Sequence, residues 1–403
     1  GADALVESML AAGVSNIFTL SGNHIMPIFD AVYDQKIQLI HTRHEAAAVH
    51  MADSWTRLTG EIGIAMVTGG PGHANAVSAL YTAAMAESPV VLLSGHAPIN
   101  QLGMGAFQEM AQVDIAAPLT KASWLCKSVS ELPGDFAKAV SIAKSGRPGP
   151  VHISLPSDVL DNAFDSDTSM PTAADFEPIP IKADKQVIKE MIAALLNAKK
   201  PLVLTGPMMQ SKAGRKILAG LEASLGVPVI GMESPRGIGD PSLGAFSEAL
   251  AQSDCVLLLG KKLDFTLKFG KAPSFHQDCV FFQIDPEISE IERAQRAVGS
   301  KLLLTTCADV HSAINAIIEL NGPTRTEARG WQAEVHEAIA YRPASWSSAP
   351  SSPNKLHPAH AFAPLQAILD SHPESVLVSD GGEIGQWAQA CLSAPNRVIN
   401  GVA

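Results

Sequence analysis

The chain has 403 residues, enough for two or three domains that each bury a core of their own. Hydrophobic residues make up 46% and charged residues 17%, which excludes a disordered chain, and no 18-residue uncharged apolar run suggests a membrane span. Lys and Arg number 29 against 40 Asp and Glu, and the resulting net charge of −11 opposes binding to a polyanionic backbone, so nucleic acid is not an expected partner.

Cys126, Cys255, Cys279, Cys307 and Cys391 are widely spaced and form no CxxC, so neither a disulfide framework nor a zinc site is expected, and a reducing cytoplasm fits best. The amphipathic opening Ala2 to Ala12 lacks the form of a signal peptide. The absent initiator Met points to a trimmed or incompletely covered chain.

Short β-branched or apolar runs alternate with Ala-rich helical stretches from Val14 to about Ser157. Strands are predicted at Ser15–Leu20, Gln38–His41, Gly63–Thr68, Pro89–Ser94 and Val151–Leu155, the pattern of a parallel sheet wrapped by helices. The Asp-, Pro-, Ser- and Thr-rich segment from Asp161 to about Ile181 has no sustained hydrophobic period and reads as a linker. The alternation then resumes with a helix over Gln186–Ala198. Strands follow at Pro201–Thr205, Val227–Ile230, Cys255–Leu259, Val280–Ile284 and Lys301–Leu304, a Rossmann-like order. A second loose stretch, Tyr341 to Asn354, precedes a helix near His357 and a strand Ser375–Ser379. The fold class is therefore α/β, with domains expected over 1–160 and 184–335, linkers over 161–183 and 336–353, and the beginning of a further α/β domain over 354–403. About 50 residues are too few for a complete domain of that kind.

The predicted strand ends carry the chemistry. Arg43-His44-Glu45-Ala46-Ala47-Ala48 runs from a strand into an Ala-rich helix with a carboxylate at the junction, a place where the helix dipole alone accounts for many glutamates. Ser21-Gly22-Asn23-His24 follows the first strand, Thr68-Gly69-Gly70-Pro71-Gly72-His73-Ala74-Asn75 the third and Ser94-Gly95-His96-Ala97 the fourth. In an open parallel sheet these loops share one edge, where ligands bind. The Gly-rich loop is neither a GxGxxG fingerprint nor a P-loop, though its glycines permit close backbone approach to a flat ligand. His73 and His96 rank behind His24, as satisfied surface or core histidines or as supporting residues, and no residues are assigned to a metal.

Taken in order, Arg43-His44-Glu45, Gly69-Gly70-Pro71-Gly72, Asn75-Ala76-Val77, Phe107-Gln108-Glu109, Pro118-Leu119-Thr120-Lys121 and Gly146-Arg147-Pro148-Gly149-Pro150 resemble the pyrimidine-binding domain of thiamine diphosphate enzymes. The likeness extends through Leu155-Pro156-Ser157-Asp158 and, more weakly, through Leu259-Gly260 and Gln283-Ile284-Asp285. It implies that Glu45 hydrogen-bonds the aminopyrimidine of the cofactor and favours the imino tautomer whose nitrogen takes the thiazolium C2 proton. It further implies that His24 faces the reacting carbon as an acid or base, as in benzaldehyde-lyase-like members, and that Gln108 orients the substrate carbonyl. Gly22, Asn23, Thr68, Pro71, Gly72 and Asn75 would line the cofactor.

Val378-Ser379-Asp380-Gly381-Gly382-Glu383 resembles the start of the diphosphate-binding domain, with Gly381, Gly382 and Glu383 near the phosphates. No Gly-Asp-Gly followed at a distance by Asn occurs, so the ligands of the Mg²⁺ that anchors the diphosphate are expected in a missing C-terminal segment. Lys261-Lys262-Leu263-Asp264-Phe265 replaces the run that accompanies FAD in acetolactate synthases, which makes FAD doubtful. Lys261, Lys262, Lys268 and Lys271 form a basic stretch, usually a solvated face and otherwise a place for a CoA phosphate.

The resemblance implies an acetolactate synthase-like carboligase or benzaldehyde lyase-like lyase, acting on a 2-oxo acid or 2-hydroxy ketone and assembled as a homodimer or homotetramer. An aldehyde and an acyl-CoA also stay open as substrates, the latter through a 2-hydroxyacyl-CoA lyase or oxalyl-CoA decarboxylase-like alternative. A non-catalytic nucleotide- or flavin-binding subunit is the competitor of another class.

Overall fold

A computed structural model describes residues 1–165, 169–321, 329–350 and 354–399. The chain divides into two compact units, Gly1–Ile179 and Pro180–Ala403.

The first unit is built on six parallel strands: β1 (Asn16–Thr19), β2 (Gln38–His41), β3 (Gly63–Val67), β4 (Val90–His96), β5 (Ser123–Leu125) and β6 (Val151–Pro156). Their order is β2-β1-β3-β4-β6-β5. The three central strands β3, β4 and β6 are buried at every residue, which is why they read as unbroken apolar runs. β5 escaped the sequence reading: three half-buried residues on the sheet edge leave no period to detect.

Helices cover both faces. α1 (Ala2–Ala11) and, much later in the chain, α6 (Leu132–Lys144) pack together, and Leu5, Met9, Ile17, Ile64 and Phe136 lie in the core on their side. On the other face α3 (Glu45–Thr59) and α4 (Pro71–Met85) lie side by side, with Ala48, Ala52, Ala76, Ala79 and Ala83 in the layer beneath them. Small side chains let two helices approach each other and the sheet closely, so the Ala-rich composition seen in the sequence has a packing cause. The short α2 (Met26–Ala31) and α5 (Gln112–Ala116) follow strand-end loops.

The supposed linker holds a short 3₁₀ turn, Ala173–Phe176, closed by a capping box between Thr172 and Asp175. Its Phe176 is buried in the first unit's core, edge-on to Phe136. Burying such a ring is worth roughly 1.5–3 kcal/mol, enough to tie a segment that carries no periodic pattern.

The second unit holds five parallel strands: β7 (Pro201–Thr205), β8 (Val229–Gly231), β9 (Cys255–Leu259), β10 (Val280–Asp285) and β11 (Leu302–Cys307), in the order β11-β10-β9-β7-β8. The expected helix over Gln186–Ala198 runs Lys185–Asn197 and begins where the Asp184 side chain accepts from Gln186 and Val187. The two edge strands, β8 and β11, begin one or two residues later than expected, and a 3₁₀ turn over Gly299–Lys301 runs directly into β11. Near the carboxyl end, β12 (Val376–Ser379) and β13 (Asn396–Ile399) form a parallel pair across the helix Gly382–Cys391, a βαβ unit whose second strand the sequence reading missed.

Candidate functional site

Strand order fixes the place of the site. From β1 the chain passes outward to β2 and then back across to β3, so the topological switch lies between β1 and β3. Loops leaving adjacent strands in opposite directions open a crevice at the carboxyl edge of the sheet. The Ser21–His24 and Thr68–Gly72 loops flank it, and Glu45 enters from the end of neighbouring β2.

Glu45 is the first residue of α3 and is half-buried. The capping duty falls to His44, whose Nδ1 accepts from the Ala46 N–H at 3.1 Å, so the Glu45 carboxylate is not used to close its own helix. Asn75, one turn into α4, donates from Nδ2 to Glu45 Oε2 at 3.0 Å. Gly72 supplies the opposite wall: a Cβ there would lie 3.5 Å from Glu45 Oε1 and 2.8 Å from Thr68 Cγ2. The missing side chain therefore keeps a gap open in front of the carboxylate.

Thr68 is the hub of the crevice. A Cβ on Gly22 would fall 2.4 Å from its Cβ, so the two strand-end loops touch through bare backbone on one side and a β-branched side chain on the other. Its Oγ1 lies 3.2 Å from His24 Nδ1. The His24 ring is buried and stacks on Phe107 with centroids 5.7 Å apart. Burial lowers its pKa; a hydrogen bond to the Phe107 backbone opposes that, and nearby His96 adds to it. The imidazole is thus neutral near pH 7 and able to accept a proton.

Gln108 stands beside the same loop in a left-handed conformation, φ +57°. Gly70, at φ +59°, caps α4, and a Cβ there would meet Gln108 Cβ at 2.8 Å. Pro71, exposed at the first position of α4, suits a helix start, where its missing N–H is no loss. Asn23 is exposed on a short 3₁₀ turn at the mouth.

The structure thus gathers Glu45, Asn75, Gly72, Thr68, Gly22, Asn23, His24, Pro71 and Gln108 at one sheet edge. Gly381, Gly382 and Glu383 belong to the second unit, where they open the helix Gly382–Cys391 after β12. Gly382 has φ +73°, and the Gly381 N–H is held by Asp380 Oδ1 at 2.7 Å.

Three features escaped the sequence reading. Phe107 stands out in the sequence only as a neighbour of Gln108, yet its ring is the stacking partner of His24. Gln112 is fully buried, although nothing separates it from an ordinary loop glutamine in sequence. His73 and His152 form a buried pair, centroids 4.5 Å apart, with Ser94 Oγ 2.8 Å from His73 Nδ1 and Ser123 Oγ 2.8 Å from His152 Nδ1. Burial pushes His73 down to about 4 and His152 also well below its ordinary value. A layer of uncharged imidazole therefore lies under the Gly-rich loop.

Among the described residues, no group of three or more His, Cys, Asp or Glu is arranged to hold a metal ion. No helix among them is long and apolar enough to cross a membrane.

Fold and site together define an α/β protein with a half-buried carboxylate beside a glycine-walled gap at the carboxyl edge of a parallel sheet. Residues 1–115 match the family described as thiamine pyrophosphate enzyme, N-terminal TPP binding domain, and residues 188–316 match its central domain. The chain belongs to the thiamine pyrophosphate (thiamine diphosphate) enzyme family.

Similar proteins include a probable acetolactate synthase large subunit of Methanocaldococcus jannaschii, 32% identical over 320 residues that span 74% of this chain and 53% of that protein. An acetolactate synthase of Mycobacterium bovis is 29% identical over 96% of this chain and 64% of its own length. Acetolactate synthase isozyme 3 large subunit of Escherichia coli is 37% identical over 249 residues, 61% of this chain and 42% of that protein. The chain spans about half to two thirds of the length of the first two of these relatives.

Proposed function

We propose that this chain carries the pyrimidine-binding half of the active site of a thiamine diphosphate-dependent enzyme that makes or breaks a carbon–carbon bond next to a carbonyl. The substrate class is a 2-oxo acid or a 2-hydroxy ketone. The observation that carries the reading is the setting of Glu45: a carboxylate at a strand end, one oxygen held by Asn75 and the other facing a gap that a Cβ on Gly72 would fill. That gap suits the edge of an aminopyrimidine, so the residues present fit the cofactor.

Thiamine diphosphate supplies, when bound, the nucleophilic carbon and the electron sink that such chemistry needs. The protein's part is to place and move protons. Glu45 shares a proton with a pyrimidine ring nitrogen, and Asn75 holds its second oxygen so that the first points inward. His24, held at Nδ1 by Thr68 and stacked on Phe107, takes or gives a proton on the substrate side. Gln108, fixed against Gly70, orients a substrate carbonyl.

The backbone N–H groups at the start of the helix Gly382–Cys391 suit the diphosphate, whose Mg²⁺ would be held by residues outside the Glu45 neighbourhood. A homodimer or homotetramer would cover the crevice on the side where Asn75, Met104 and Phe107 are exposed. A cytoplasmic location accords with five free cysteines. The acetolactate synthase names of the relatives support a carboligase over the acyl-CoA and flavin-binding readings.

The test is Glu45→Gln in protein expressed from the complete reading frame. The glutamine keeps size and hydrogen bonding but cannot transfer the proton, so exchange of the cofactor C2 proton should fall at least a hundredfold with the circular dichroism spectrum unchanged. Exchange at the wild-type rate overturns the assignment.

A further inference from the structure

We propose that Gln112 is a positioning residue that sets the wall of the cofactor site, an inference that rests on the thiamine diphosphate reading. Gln112 is 1% exposed and opens α5, and its side chain hydrogen-bonds at the ends of three central strands at once. Its Oε1 accepts from the Gly70 N–H after β3 at 2.7 Å. Its Nε2 donates to the Gly95 carbonyl of β4 at 3.1 Å and to Ser154 Oγ of β6 at 3.0 Å. One acceptor and both donors of the amide are satisfied, and only this orientation of the amide satisfies them.

The bond to Gly70 is the one that bears on chemistry. Gly70 is the residue before α4, in a conformation with φ +59° and ψ −117° that side chains rarely adopt, and its N–H has no partner within the helix it precedes. Whatever fixes this N–H fixes where α4 begins. Two residues on, Gly72 forms the gap before Glu45 Oε1, and five residues on, Asn75 holds Glu45 Oε2. Gln108 also packs directly on Gly70. A single buried amide thus governs the spacing between Glu45 and the opposite wall, as well as the seat of the residue proposed to meet the substrate. Gly69 leaves no slack: a Cβ there would fall 2.7 Å from the Gly95 carbonyl and 3.2 Å from Gln112 Oε1.

The experiment uses protein from the complete reading frame and three variants, with thiamine diphosphate plus Mg²⁺ as the probe. Gln112→Met conserves volume and leaves the Gly70 N–H and the Gly95 carbonyl unpaired. Gln112→Asn keeps the amide but shortens its reach, and serves if the first variant does not fold. Ser154→Ala removes one hydrogen bond of the same network without touching Gly70. Kd is read by calorimetry, and Tm is read on the cofactor-free protein.

Gln112→Met and Gln112→Asn should raise Kd roughly ten- to a hundredfold, the range expected when a buried group loses its partner. Ser154→Ala should lower Tm with Kd within about twofold of wild type. A purely structural role predicts lower Tm in all three with Kd unchanged, and that result overturns the inference. Failure of the wild-type protein itself to bind overturns the thiamine diphosphate reading, and this inference with it.

Discussion

Replacing His73 with glutamine should remove a measurable part of the acid sensitivity of the first unit. His73 has no exposed surface, its Nδ1 is bonded to Ser94 and its ring lies against His152. Burial holds its pKa at about 4 in the folded chain, against 6.5 in the unfolded chain. Above pH 6.5 both states carry a neutral ring and the group adds no pH dependence. As pH falls from 6.5 to about 4, the unfolded chain takes up a proton that the folded chain refuses, so stability drops; below about 4 the loss is complete. The gap of about 2.5 units corresponds to about 3 kcal/mol in full, of which about 2 kcal/mol is lost by pH 5. His152 acts in the same direction, so the wild-type profile holds both effects and the variant isolates that of His73. Urea unfolding of wild type and His73→Gln at pH 7.5, 6 and 5 gives the difference directly, and it should shrink by about 2 kcal/mol between the first and last. A difference that stays constant over that range, or an NMR titration of the His73 ring near pH 6.5, refutes the reasoning.

Two further outcomes are expected. Gly22→Ala would place a methyl 2.4 Å from Thr68 Cβ on a backbone of ordinary conformation, so the effect is one of crowding alone. Stability should fall by about 1–3 kcal/mol, and the Thr68 contact to His24 should open, seen as a rise of the His24 pKa in a histidine NMR titration; an unchanged Tm would show that the two loops are not in contact. Burial pushes Cys126, Cys255 and Cys279 up to about 12 and raises Cys307 and Cys391 as well, but only these last two are partly exposed, so a thiol reagent at pH 8 should modify Cys307 and Cys391, slowly, before unfolding. Rapid labelling of all five, followed by mass spectrometry, would contradict the packing described for these cores.

The architecture was legible where burial imposes a pattern. β3, β4, β7 and β9 lie inside their sheets, and their apolar runs gave boundaries within two residues. β5 and β13 are short and sit at a sheet margin, where three or four residues do not make a period. Glu45, Thr68 and Gly72 were legible because strand ends, glycines and helix starts leave traces in sequence. Gln112 was not: its burial depends on loops from three strands closing over it, and no local pattern records that. Phe176 shows the same limit in an apolar residue, since one ring in a polar stretch reads as an accident until the cavity that receives it is known.

The order of strands in the first unit also governs how the chain can be made. β4 is paired on one side by β3 but must wait for β6 on the other, about 55 residues later, and at 5–20 residues per second that is several seconds of synthesis. During that interval the run Val90-Val91-Leu92-Leu93 offers an open edge to any neighbouring chain. The opening helix α1 waits longer still for its partner α6, to which Ser8 is tied through the carbonyl of Pro133. The topology that assembles the crevice therefore leaves an apolar strand edge and one face of a helix uncovered until much later parts of the chain are made.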